Sequence, residues 1–154
     1  MNEKVVVDAG RFWIAALVCA VIAGLAGLVA FWAISDIGGI NLFVRDFPDS
    51  EVVLLTSWPS FFVSFLMAII AAGVLHLMML FLVRPTWFFT ILSLVLLAVA
   101  ALFPYTIDVP TESQVWLMVL HTVVGVIIFA LLLGTMPFVV KQADPPQIST
   151  GYSQ

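Results

Sequence analysis

Apolar residues along this chain come in four long unbroken runs rather than in the narrow stripe that a soluble amphipathic helix presents to a core. At 1.5 Å per residue each run is long enough to cross a hydrocarbon layer of about 30 Å, and together they predict helices over 12–34, 58–83, 87–104 and 114–139. Polar residues collect between them, in an outer loop at 35–57, a turn at Arg84-Pro85-Thr86, a loop at 105–113 and a tail at 141–154. Proline at a helix start costs no hydrogen bond, and so short a turn makes the second and third helices antiparallel neighbours. The pattern predicts an all-α polytopic membrane protein, a single antiparallel four-transmembrane-helix bundle over 1–140. The outer loop, which mixes apolar with acidic residues, is expected to lie along the interface. The polar, proline-bearing tail is expected to be disordered alone.

Composition turns the pattern into an exclusion. Of 154 residues 64% are hydrophobic and 9% charged, with a mean hydropathy of +1.23, which no soluble domain of this size can bury. The five basic and nine acidic residues all lie outside the predicted spans. If the helices alternate, Lys4, Arg11, Arg84 and Lys141 share one side and Arg45 stands on the other. The excess of basic residues then places both termini in the cytoplasm. Trp13, Trp32, Trp58, Trp87 and Trp116 each fall near a helix end, at the headgroup level that indole prefers. The apolar stretch from Phe12 to Ile34 exceeds a signal-peptide core of about 7–15 residues and reads as a retained helix.

Lipid competes equally for apolar side chains, so helix association in a membrane depends on small residues and interhelical hydrogen bonds. Ala16, Ala20 and Gly24, with Ala23 and Gly27, give the first helix such a face; Ser60, Ser64, Ala68 and Ala72 give the second one. These faces are expected to bury the bundle's own contacts.

Few residues carry chemistry. His76 and Ser93 flank the 84–86 turn at matching depth, on the order of 12–13 Å from it, within reach of a hydrogen bond. Ser64 and His121 match in depth at the other end. A haem between the two histidines is disfavoured, because the helix rise puts them about 16 Å apart along the membrane normal. Coupled transport usually needs charged groups inside the bundle, and beyond the histidines none is there. Cys19 has no base assured at its depth, no phosphate-binding glycine loop occurs in the right context, and five basic residues make no nucleic-acid patch. Catalytic residues, metal and cofactors are therefore not expected; a bound lipid is compatible with everything above.

From Trp87 to Pro137, the tryptophan opening the third helix, Ile91-Leu92-Ser93, Pro104, Thr111, Leu117 and His121 before a glycine-bearing apolar run resemble an uncharacterised actinobacterial family of small four-span membrane proteins. That resemblance implies a multi-pass protein of a bacterial inner membrane and brings no activity with it.

Two functions fit. One is a structural or accessory subunit of a larger membrane assembly, gripping other subunits through Asp46, Asp49 and Glu51 of the outer loop, with loop and tail ordering only on binding. The other is a small-molecule or lipid-binding protein, or passive carrier, with an intramembrane pocket lined by His76, Ser93, Ser64, His121 and Thr122.

Overall fold

The computed structural model describes residues 5–45 and 51–142. In chain order a strand β1 (Val5–Val7) leads into α1 (Ala9–Trp32), a short hairpin of β2 (Phe43–Val44) and β3 (Val53–Leu54) precedes α2 (Ser57–Phe81), and α3 (Pro85–Leu102), α4 (Thr111–Val139) and β4 (Val140–Gln142) follow. Four helices are long and apolar enough to span a membrane, as the four apolar runs require.

The helix ends differ from the predicted ones where polar groups extend the helix beyond its apolar run. Asp8 caps α1, its carboxylate accepting the Arg11 N–H at 3.1 Å and pairing with the guanidinium at 3.4 Å, so the helix begins three residues before Phe12. At its other end a π-helical turn, Ala33–Ile37, carries the span past Asp36 until Gly39, at φ +68°, takes the chain out of the helix. Pro85 starts α3, and Phe103–Thr106 finishes it as a 3₁₀ turn around Pro104.

β1 pairs antiparallel with β4, Val5 opposite Gln142 and Val7 opposite Val140. The start of α1 and the end of α4 therefore share one end of the bundle, called here the terminal end. Lys141 and Gln142, expected to begin a disordered tail, are paired with Val6 and Val5 in this ribbon; residues 143–154 lie outside the described part.

The opposite end, the loop end, holds the 38–56 connection. Its described parts are docked on the chain's own helices. Leu42 is fully buried, and Leu55 N–H donates to its carbonyl at 2.7 Å. The buried Ser113 hydroxyl, in the first turn of α4, donates to Asn41 O at 3.1 Å and accepts from Phe43 N–H at 3.2 Å. One serine thus clips the loop to α4.

Helix α1 is the centre of the bundle. It packs along α2 and α4, and its whole small-residue face, Ala16, Ala20, Ala23, Gly24 and Gly27, is buried. The facing residues Ser60, Ser64, Ala68 and Ala72 of α2 are buried as well, as their spacing predicted. By contrast α3 leans mainly on α4, and Phe89 is its single buried residue. Trp13, Trp32, Trp58 and Trp87 are exposed, as residues at the headgroup level should be.

Candidate functional site

Where α1 and α2 touch at the loop end, side chains are nearly absent and backbones meet. A Cβ added to Gly27 would collide with Ser64 Oγ and stand 2.9 Å from Ser60 O, so only glycine fits there. The approach lets Ser60 Oγ–H donate across the interface to Gly27 O at 3.0 Å, while Ser64 Oγ–H donates back along its own helix to Ser60 O at 2.7 Å. Both serines are buried.

On the far side of those serines a cavity of about 330 Å³ lies between α2, α3 and α4, roofed by the loop. Ser60, Ser64 and Met67 of α2 form one wall, Ala100 with the Phe103-Pro104 turn a second, and His121, Val124 and Gly125 of α4 a third. Val44, Arg45 and Leu55 close the loop end. The space follows from residue size: serine, alanine and glycine occupy wall positions that leucine fills elsewhere in these helices. It also follows from α3 ending at Pro104, whose missing N–H gives the carbonyl of Ala100 no partner four residues on.

His121 is half-buried, and its Nδ1 lies 2.7 Å from Leu117 O. A carbonyl only accepts, so Nδ1 carries the hydrogen and donates it, which leaves Nε2 of the neutral ring as a bare acceptor. Arg45 is engaged in interactions of its own at the mouth.

Ser64 and His121, matched in depth by sequence, thus come together in one cavity. The remaining expected site residues do not join them. Thr122 is exposed on the other side of α4, its hydroxyl donating to Met118 O at 2.8 Å, because the next residue along a helix is turned about 100° away. His76 sits at the terminal end, its ring stacked on Phe12 at 5.1 Å between centroids and tilted against Trp13 at 5.8 Å. Its buried Nδ1 has no hydrogen-bond partner. The hydrogen bond to Ser93 that matching depth would allow does not form, since α2 turns this ring to the aromatic pair of α1 rather than to α3. Ser93 itself is half-buried on α3 and lines no part of the cavity. Asp46 and Asp49 lie outside the described residues; Glu51 is exposed beside the hairpin.

Sequence reasoning assigned Arg45 only to orientation, Ser60 only to packing and Pro104 only to helix termination, although all three line the cavity. A usable signal was present in Ser60 and Ser64, one turn apart, opposite a glycine of α1. Nothing in the sequence pointed to Arg45, whose place depends on how the loop folds back. Among the described residues no three His, Cys, Asp or Glu side chains converge as metal ligands. Cys19 is buried in the apolar cluster of Phe12, Ala72 and Leu75.

A family model, that of the family of unknown function DUF6069, matches residues 7–137, which takes in all four helices and the loop. No curated protein and no solved structure matches the chain.

Proposed function

The chain belongs to DUF6069, a family of unknown function, and we propose that it binds a lipid or a similar apolar small molecule between α2, α3 and α4. The observation that carries this reading is the cavity: about 330 Å³, lined mostly by apolar residues, with Arg45, Ser60, Ser64 and His121 as the polar residues of its lining. Its size and make-up are those of ligand pockets, which are largely apolar with a few placed polar groups. The cavity is partly open rather than enclosed, which leaves it accessible to a molecule of the surrounding bilayer.

With three of the four basic residues among the described ones, Arg11, Arg84 and Lys141, at the terminal end and its connecting turn, both termini belong in the cytoplasm of a bacterial cell, and the cavity opens in the outer half of the inner membrane. The test is to purify the full chain in mild detergent and identify retained lipids by mass spectrometry. Wild-type protein is expected to keep a stoichiometric lipid and Ala100→Phe, which fills the gap, to lose it. Equal retention by both proteins would remove the cavity as the binding site.

A second reading, an accessory subunit of a membrane assembly, draws on α3, of whose residues only Phe89 is buried. Native-gel electrophoresis of the chain extracted from its host tests it. A stoichiometric partner that weakens when Asp46, Asp49 and Glu51 become alanine would support the loop as the grip; unchanged co-purification would discount it.

A further inference from the structure

We infer that the cavity takes a zwitterionic phospholipid, its phosphate against Arg45 and its amine turned outward to the carboxylates of the loop end; the inference rests on the cavity-binding reading above. Ser60 and Ser64 turn their hydroxyls to the α1 seam, against Gly27, so the selection of a headgroup falls to other residues. Of the lining residues Arg45 alone carries a fixed charge, and it stands half-buried at the loop mouth, over walls that are mostly apolar. Val63, Met67 and Phe103 of the lining are each more than half exposed, whereas Leu117, Leu120 and Val124 of the α4 wall are buried. The opening is therefore a slot beside α2 and the end of α3 that faces the bilayer. A ligand enters sideways, from the leaflet in which it already lies.

Depth sets the order of the groups. The exposed Trp58 opens α2 next to the lining residue Pro59, which puts the cavity mouth at headgroup level. A guanidinium at that level meets the phosphate layer. Arg45 has contacts of its own, but its five N–H donors form a fork that takes phosphate oxygens two at a time, so it can hold a neighbour in the chain and a ligand together. Farther out the sign of the charge reverses. Among the described residues the loop end carries Asp36, Glu51, Asp108 and Glu112, all exposed, and Asp108 directly follows the lining residue Ile107. From cavity to water the protein reads apolar, cationic, acidic. A phospholipid ending in an amine reads acyl, phosphate, ammonium along the same path. A headgroup with net negative charge would meet Arg45 and then the carboxylates, and a diacylglycerol would fill the walls while offering the guanidinium no anion.

The experiment uses the full chain in nonionic detergent at low ionic strength, and three probes with the same two oleoyl chains compete against radiolabelled dioleoyl phosphatidylcholine: dioleoyl phosphatidylethanolamine, dioleoyl phosphatidylglycerol and dioleoylglycerol. The phosphatidylethanolamine is expected to bind about tenfold tighter than dioleoylglycerol, the contribution of a hydrogen bond to a charged group. It should bind about threefold tighter than phosphatidylglycerol, a gap that closes in about 1 M salt, where exposed carboxylates are screened. Arg45→Gln should bring phosphatidylethanolamine down to the level of dioleoylglycerol, and Asp108→Asn with Glu112→Gln should raise phosphatidylglycerol towards phosphatidylethanolamine. The headgroup comparisons in the wild-type chain decide the matter even if a variant misfolds. Phosphatidylglycerol binding as tightly or more tightly would overturn the zwitterion in favour of a plain anion at Arg45, and dioleoylglycerol binding as tightly would overturn the phosphate contact. Either result, with all binding lost in Ala100→Phe, leaves the cavity reading standing. Absence of binding, or binding indifferent to Ala100→Phe, would overturn both.

Discussion

At the terminal end all four helices meet, with Phe12, Ala72, Leu75, Phe89 and Leu132 buried in one cluster. At the loop end the buried cluster of Phe31, Ile34, Leu42, Leu117, Leu120 and Val124 is drawn from α1, the loop and α4, and neither α2 nor α3 contributes to it. The cavity occupies the place their side chains would have taken. The two ends differ in what α2 and α3 supply: Leu75 and Phe89 reach the buried cluster at the terminal end, whereas Ser60, Ser64 and Ala100 stand beside the cavity at the loop end. In a membrane that difference is tolerable, since a gap open to lipid need not stay empty, whereas a void in a soluble core would cost the protein its fold.

The contrast is open to breakage at both ends. The largest effect is expected from Gly27→Leu, which forces a side chain into the backbone contact with Ser60 and Ser64 and breaks the Ser60 hydrogen bond. A loss of about 3 kcal/mol should appear in thermal or denaturant unfolding in detergent, with the α1–α2 seam opened. Leu75→Ala, in the closed terminal core, should cost about 2 kcal/mol by the same measurement. Retention of full stability would mean that the terminal end is no better packed than the loop end.

Smaller changes sharpen the picture. Ser113→Ala removes the clip between loop and α4 and leaves Phe43 N–H without its acceptor, so about 1 kcal/mol should be lost and hydrogen exchange should quicken at Phe43. Least of all, His76→Phe keeps the ring against Phe12 and deletes the unpartnered Nδ1, so stability should rise by up to about 1 kcal/mol. A marked fall instead would assign His76 a polar role that packing does not explain.

Much of the architecture was legible because the membrane imposes it. Run length fixed four spans, and four-residue spacing of alanine, glycine and serine marked the α1–α2 seam, since only small residues allow backbones to touch. Depth counting paired Ser64 with His121, for helix rise is constant. It failed for His76 with Ser93, because depth says nothing of rotation: two residues at one level meet only if their helices turn them together. Thr122 was misplaced for the same reason, one residue from His121 and on another face. The loop's docking through Leu42 and Ser113, and with it Arg45 at the cavity mouth, rests on contacts more than sixty residues apart in sequence, which no local pattern encodes.

The central claim is that the gap between α2 and α3 at the loop end is a lipid site rather than a packing defect. An experimental structure of the full chain in a bilayer, soaked with a lipid carrying brominated acyl chains, tests it most directly. The account predicts anomalous bromine density between Met67, Ala100 and Gly125, with Ser64 and His121 facing the headgroup side. An α3 closed against α2, with protein side chains filling the space and bromine confined to the outer surface of the bundle, would contradict it.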